Sequence, residues 1–150
     1  MRLRVYIAVP ALLLLSSFAI AQSEKAGEPN VQRLADIMTA TQLRHIKLWF
    51  AGKASNWKLA DYELRQFKAS LVEAALLYPG IPVTNVTTMA DPVQAVADAI
   101  KAKDSRAFES TFSSLTNGCN ACHQSMGYGY IVMRVPTSSP FSDQVMPPPK

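Results

Sequence analysis

The sequence predicts an all-α protein, and three observations support this fold class. Along four separate stretches, apolar residues recur at steps of three and four, as on the buried face of an amphipathic helix. Gly, Pro, Asn and Asp residues separate these stretches, as expected for turns. Val83 and Val86 favour a strand, but a single strand has no partner with which to pair. We therefore expect four helices and no sheet.

The first two stretches predict a pair of antiparallel helices. The first helix covers residues 31–51, with Asn30 as its N-cap and Gly52 as its stop signal. Its buried face is predicted to comprise Leu34, Ile37, Met38, Thr41, His45, Leu48 and Trp49. The second helix covers residues 57–78, with Asn56 as its N-cap. The turn between them is short, and short connections join antiparallel helices.

The second half of the chain predicts a long connection and two further helices. Residues 79–91 are interpreted as the connection, because they contain prolines, a glycine and several threonines. The third helix is predicted to begin at Asp91-Pro92, an N-cap followed by proline at the first helical position. The fourth helix follows a cap at Asp104 or Ser105 and ends at Gly127.

The end of the fourth helix carries the sequence Cys119-Asn120-Ala121-Cys122-His123. On a helix, the side chains at positions 119, 122 and 123 share one face. C-x-x-C-H is the attachment motif of a c-type haem, in which the two thiols form thioethers with the porphyrin and the histidine binds the iron. The sequence therefore predicts one covalent haem c, held by Cys119, Cys122 and His123 on the last helix.

Other interpretations of the two cysteines are free structural thiols, a disulfide or part of a zinc site. A structural zinc site takes about four Cys or His ligands, and His45 is the only such residue outside the motif. A thioredoxin-like redox motif would stand near a βαβ pattern, and the helical pattern of this chain provides none. Haem attachment is therefore favoured.

The N-terminus has the pattern of a secretory signal peptide. Arg2 and Arg4 form a basic region before an apolar run over residues 5–15, and Ala19-Ile20-Ala21 matches the A-x-A cleavage pattern. The run is short for a transmembrane helix, so an uncleaved anchor is the less favoured alternative. We expect residues 1–21 to be removed and the mature protein to lie in the periplasm, without a membrane anchor.

The charge balance argues against nucleic acid as a partner. The whole chain has a formal charge of +4, and 13 basic and 11 acidic residues remain without the two signal-peptide arginines. These charges form no basic block or stripe, which nucleic-acid binding requires.

The mature chain is expected to comprise a flexible lead at 22–30, a helical haem-binding domain at 31–126 and an extended tail at 127–150 with a disordered end.

Four amphipathic helices with C-x-x-C-H near the end of the last one resemble the class II c-type cytochromes, the cytochrome c-prime family. The resemblance covers about residues 31–126 and includes Met38 and His45 in the first helix. It implies an up-down-up-down bundle, thioethers at Cys119 and Cys122, and His123 as the proximal iron ligand. Family members often dimerise through their first two helices, so a homodimer is one option that the resemblance offers.

The chain departs from the family pattern in two respects, which indicates a divergent member. Members often carry Arg or Lys near the haem motif, whereas Asn120, Ala121 and Gln124 are uncharged. The tail after Gly127 is also longer than is usual in the family.

The side chain opposite His123 at the iron decides the mechanism. In the family, this distal position belongs to the first helix and is either apolar or a methionine. His45 and Met38 lie seven residues apart on that helix, and both face the predicted core. We expect His45 as distal ligand, Met38 as the alternative, and an open iron as a third case. Trp49 is a candidate for packing against the haem, although ordinary core packing is favoured.

These observations predict a periplasmic electron carrier, and not an enzyme, that passes single electrons between redox partner proteins. The chain offers no Ser/His/Asp set or carboxylate pair that would indicate catalysis. A gas-binding protein with five-coordinate iron, which would bind NO or CO, is the first alternative. A haem-bearing subunit of a larger periplasmic oxidoreductase, docked through its tail, is the second.

Overall fold

The computed structural model describes residues 33–148, which form four α-helices and no strand. The helices are α1 (Leu34–Lys53), α2 (Trp57–Leu77), α3 (Val83–Ala102) and α4 (Ser105–Ser125). The prediction of an all-α chain with four helices is confirmed. The signal peptide at 1–21, the lead at 22–30 and the cap at Asn30 lie outside the described residues. Within the described part, no helix is long and apolar enough to span a bilayer.

Two of the predicted helix caps are confirmed by their hydrogen bonds. The Asn56 side chain accepts a hydrogen bond from the Leu59 N–H, 3.2 Å away, at the start of α2. The Asp104 carboxylate accepts from two backbone N–H groups in the first turn of α4. Gly127 follows α4 with a φ of 77°, a left-handed conformation that glycine adopts without strain.

The prediction that Gly52 stops the first helix is wrong. Helix α1 continues through Gly52 to Lys53, and the turn follows with Ser55 at a φ of 56°. Gly52 is buried, and a Cβ at this position would lie 2.2 Å from ring atoms of Phe108 on α4. The glycine therefore provides room for an aromatic ring against the backbone of α1 and does not serve as a helix terminator.

The prediction that the third helix begins at Asp91-Pro92 is also wrong. Helix α3 begins at Val83, immediately after Pro82, and Pro92 lies inside it. A proline inside a helix removes one backbone hydrogen bond. Burial of the added helical turns offsets this loss, because Met89 is only 4% exposed and lies one turn before Val93 on the same face. The connection between α2 and α3 is accordingly shorter than residues 79–91.

The four helices enclose one apolar core. Helix α1 contacts α2 and α4, and α3 contacts the same two helices. Phe67, Phe108 and Phe112 are its largest completely buried apolar side chains. Trp57 packs edge-on against Phe108 with ring centroids 6.1 Å apart, so its ring contributes to this core.

The tail after α4 has no regular secondary structure, but its far end is attached to the helices. The Asn56 amide donates a hydrogen bond to the Met146 carbonyl, and the Met146 side chain is buried. The Lys47 ammonium lies 4.8 Å from the centroid of the Phe141 ring, a cation–π distance. The tail therefore contacts α1 through Phe141 and the start of α2 through Met146.

Candidate functional site

A cavity of about 400 Å³ lies among the four helices and the first part of the tail. Its wall brings together five side chains that the sequence singled out: Met38, His45, Cys119, Cys122 and His123. Helix α1 supplies the first two and α4 the other three, so residues more than 70 positions apart converge on one space. Its volume lies within the range of about 300–1,000 Å³ that is typical of small-molecule and cofactor sites.

The wall of this cavity is largely apolar. Those of its members that lie within residues 33–148 include no Lys, Arg, Asp or Glu, and their polar groups other than His and Cys are Thr39, Thr41, Gln42, Asn85 and Tyr128. Phe67, Leu71 and Met89 are among the apolar side chains that complete it. Such a wall favours a largely apolar occupant with a small number of polar contacts.

The His123 ring is fixed by a hydrogen bond to the tail. Its Nδ1 lies 2.7 Å from the carbonyl oxygen of Ile131. A carbonyl only accepts, so Nδ1 carries the proton and donates. The neutral tautomer compatible with this bond has its lone pair on Nε2, as in a histidine that binds a metal through Nε2.

Asn120 holds the tail segment that supplies this carbonyl. Its side-chain oxygen accepts from the Met133 N–H at 2.7 Å, and its amide nitrogen donates to the Met133 carbonyl at 2.9 Å. Sequence reasoning missed both Asn120 and Ile131 as parts of the site. No sequence signal could identify Ile131, because it acts through a backbone carbonyl that every residue has.

Cys119 and Cys122 are free thiols, one helical turn apart on α4. Burial, with a smaller contribution from Cys122, raises the pKa of Cys119 to about 12. Burial also raises the pKa of Cys122. Both groups are therefore protonated at neutral pH, unlike the low-pKa thiolates of redox motifs. Among residues 33–148, no three His, Cys, Asp or Glu side chains are grouped as a metal ion would require.

His45 is in the wall of the cavity but only 1% exposed. Its Nε2 lies 2.9 Å from the Thr116 hydroxyl oxygen, and that hydroxyl lies 2.9 Å from the Phe112 carbonyl, to which it donates its proton. The Thr116 oxygen therefore accepts from His45, which places the His45 proton on Nε2. Burial lowers the pKa of His45 to about 4, so the ring is neutral at pH 7.

Within the described part of the chain, two buried nitrogen atoms of the cavity wall, His45 Nδ1 and Asn85 Nδ2, have no hydrogen-bond partner. The first is an acceptor and the second is a donor. Unpaired buried polar atoms are uncommon in folded proteins, and a bound group or water is one usual reason for them. Together with the two cysteines and His123, they make this cavity suitable for a large apolar cofactor that has polar substituents.

The remaining sequence candidates separate into two groups. Met38 lines the cavity, as do Met126 and Met133. Trp49 is not part of the wall: it stacks on Phe108 with ring centroids 6.1 Å apart and contacts Phe112 at 4.9 Å. Trp49 thus belongs to the core beside the cavity, the interpretation that the sequence favoured for it.

Comparison of the chain with models of protein families, with curated proteins and with solved structures found no match in any of the three.

Proposed function

We propose that this chain is an exported c-type cytochrome that binds one covalent haem and carries single electrons between redox partners. The haem iron, when bound, would supply a one-electron couple. The chain would contribute two covalent anchors, one proximal ligand and an apolar enclosure. Haem propionates would bring negative charge to a site whose wall carries none.

The observation that carries this proposal is the hydrogen bond from His123 Nδ1 to the Ile131 carbonyl. Histidines that bind metals commonly donate their other ring N–H to a carbonyl or carboxylate, which fixes both the tautomer and the ring orientation. His123 has this arrangement beside the two cysteines of its own motif. In the neutral tautomer that this bond selects, Nε2 has the lone pair and would be available to bind iron.

Attachment of the haem would be an addition of each thiol across a vinyl group. The sulfur of Cys119 or Cys122 would form a bond to one vinyl carbon, the S–H bond would break, and the hydrogen would go to the other vinyl carbon. Atoms and electrons balance without an external oxidant. The reaction needs both cysteines as reduced thiols, and free, protonated thiols are present at both positions.

The contacts of His45 alter the choice of distal ligand. Haem-ligating histidines generally use Nε2, and in this chain the His45 Nε2–H is donated to Thr116. Met38 lines the same cavity, is partly exposed and has a thioether sulfur that is free to bind iron. We therefore favour Met38 as the residue that would bind the iron in addition to His123, with His45 as a fixed part of the cavity wall.

A gas-binding haem protein is the second candidate function. The hydrogen bond between His45 and Thr116 favours it, because this bond engages the His45 Nε2 and would keep it from binding an iron. If Met38 also stayed away, an apolar space would be open to a diatomic ligand such as CO or NO. The two functions therefore differ in the position of a single side chain.

The resemblance to the cytochrome c-prime family supports further parts of the proposal. It implies an up-down-up-down order of the four helices, and the signal-peptide pattern of residues 1–21 supports a periplasmic location after their removal. A partner protein would approach near the motif, where Tyr130 and Val132 are 78% and 74% exposed. Exposed apolar side chains beside a redox centre suit a transient partner surface.

The decisive experiment is production of the full chain in bacteria together with a c-type haem attachment system. We expect a covalent haem that survives denaturation, a c-type visible spectrum and a reversible one-electron couple. The double variant Cys119→Ser/Cys122→Ser should retain no covalent haem. The single variant His123→Ala should retain the thioethers but lose the native spectrum, because only the axial ligand is missing.

Two results would overturn the proposal. The first is a native protein that is exported in folded form without covalent haem. The second is a protein that carries haem but has no reversible couple, which would exclude electron transfer and leave gas binding to be examined. Ser110→Ala is a suitable control, because it removes a hydroxyl from an exposed position of the same helix and should leave all of these properties unchanged.

A further inference from the structure

Asn120 occupies the first variable position between the two cysteines and pairs with the backbone of the tail. Its oxygen accepts from the Met133 N–H at 2.7 Å, and its nitrogen donates to the Met133 carbonyl at 2.9 Å. Both backbone groups of one residue are thus paired by one side chain. Two such bonds fix the position and the orientation of the backbone together, which a single bond does not.

The Ile131 carbonyl lies two residues before Met133 in the same segment, and it accepts from His123 Nδ1 at 2.7 Å. Residues 131–133 are therefore held at two points, and both points are side chains of the last turns of α4. A further contact orients the start of the segment, because the Tyr128 N–H donates to the His123 carbonyl at 2.7 Å. The Ile131 carbonyl is in this way attached to the same helix as the histidine that it contacts.

We propose that Asn120 is a positioning residue that sets the reduction potential of the haem by holding the Ile131 carbonyl against His123. This inference rests on the proposed function. A hydrogen bond from Nδ1–H increases the electron density on the imidazole and makes the ring a stronger ligand. A ligand that donates more electron density stabilises the more positively charged, oxidised iron and therefore lowers the reduction potential. Loss of the bond should therefore raise the potential.

The two hydrogen bonds of Asn120 make the effect specific to its side chain. The Ile131 side chain is 46% exposed and provides little packing to hold its own carbonyl. Without the amide, the segment loses both hydrogen bonds that fix the Met133 backbone. The Ile131 carbonyl is then positioned from its N-terminal side, by the turn between Tyr128 and Ile131 and by the bond from the Tyr128 N–H to the His123 carbonyl. A small movement of the carbonyl is sufficient, since hydrogen bonds weaken steeply as their geometry departs from linear.

The first test compares the haem-loaded wild type with Asn120→Ala and with Asn117→Ala, by redox titration under identical conditions. Asn117 is exposed and lies on the same helix, which makes it a matched control. We expect the midpoint potential to become more positive in Asn120→Ala and to stay unchanged in Asn117→Ala. Amide hydrogen exchange at Met133 should be slow in the wild type and should accelerate in Asn120→Ala only.

A second pair of variants leaves the C-x-x-C-H motif unchanged, in case Asn120→Ala fails to acquire haem. Met133→Pro removes the N–H that Asn120 accepts, whereas Met133→Ala keeps it and removes the same side chain beyond Cβ. The potential of Met133→Pro should be more positive than that of Met133→Ala. The difference between them reports the hydrogen bond, since both lack the methionine side chain in the cavity wall.

The outcomes separate this inference from the proposed function. If the wild type carries no covalent haem, the proposed function fails and the inference fails with it. If haem is bound and Met133 exchange accelerates without any change in potential, Asn120 only anchors the tail and the inference is overturned. It is equally overturned if Asn117→Ala shifts the potential as much as Asn120→Ala does, because the effect is then not specific to the paired amide.

Discussion

His45 on α1 and Thr116 on α4 are joined by a hydrogen bond of 2.9 Å across the interior of the bundle. Both side chains are buried, with exposures of 1% and 3%. The Thr116 hydroxyl donates a hydrogen bond to the Phe112 carbonyl, so the bond from His45 completes a chain of two donors and two acceptors. The pair fixes the tautomer of the only histidine outside the C-x-x-C-H motif.

The contribution of this pair to stability is measurable by a double-mutant cycle. Thr116→Val keeps the side-chain shape and leaves the His45 N–H without an acceptor, which should cost about 1–3 kcal/mol. Combined with His45→Ala, the two changes should be non-additive by about 0.5–3 kcal/mol. Thr116→Ser keeps the hydroxyl and should keep the coupling. Unfolding by urea gives each value, and additive losses would show that the hydrogen bond contributes nothing to stability.

The stability of the protein should fall as the pH drops from about 6.5 to about 4. Burial lowers the pKa of His45 to about 4, whereas an unfolded histidine titrates near 6.5. Between these values the unfolded chain binds the proton and the folded chain does not, so acid favours unfolding. A shift of this size corresponds to roughly 3 kcal/mol.

The matched variant for this pH dependence is His45→Gln, whose amide does not titrate but can still donate to Thr116. Denaturant unfolding of both proteins at a series of pH values isolates the histidine, because other ionisable groups are common to the two. The free energy of unfolding should fall less between pH 6.5 and pH 4 in the variant than in the wild type. If the free energy of unfolding depends equally on pH in both proteins, His45 titrates in the folded state with an ordinary pKa.

Gly52→Ala should destabilise the protein although alanine favours helices. A Cβ at this position would lie 2.2 Å from the Phe108 ring, which has no free space because it is completely buried. Overpacking of this kind costs about 1–3 kcal/mol or more, which exceeds the roughly 1 kcal/mol that alanine gains in a helix. Gly80→Ala is the control, since no atom lies within 4 Å of its added Cβ. A melting temperature of Gly52→Ala at or above that of the wild type would contradict the prediction.

The sequence predicted the number of helices because each of the four stretches carries apolar residues at helical spacing. Asn56 and Asp104 cap α2 and α4 as their positions suggested. Pro92 and Gly52 were misinterpreted because the same residue types mark helix ends elsewhere. At both places tertiary packing overrides local preference. The extra turns of α3 bring Met89 into the core, and Phe108 occupies the space beside Gly52.

The side chains of the candidate site were also predictable, because C-x-x-C-H and the buried face of α1 are local patterns. What could not be predicted is how these side chains are held. The bond between His123 and Ile131 uses a backbone carbonyl, and the bond between His45 and Thr116 joins positions 71 residues apart. Such pairings depend on the three-dimensional arrangement of α1, α4 and the tail, and periodicity carries no information about them.

Met38→Leu should convert the haem-loaded protein from a low-spin to a high-spin spectrum and make it bind CO readily. Leucine fills nearly the same volume in the cavity wall but has no sulfur to bind iron. His45→Ala is the comparison variant, and it should remain low-spin because the His45 Nε2–H is donated to Thr116. Visible spectra of the oxidised and reduced proteins, with and without CO, report both properties.

If His45→Ala is the variant that becomes high-spin, the imidazole must leave Thr116 when the haem binds, and Met38 is then only a packing residue. If the wild type is already high-spin, neither Met38 nor His45 binds the iron. Gas binding is then the better account of an apolar cavity in which Thr116 on α4 holds His45.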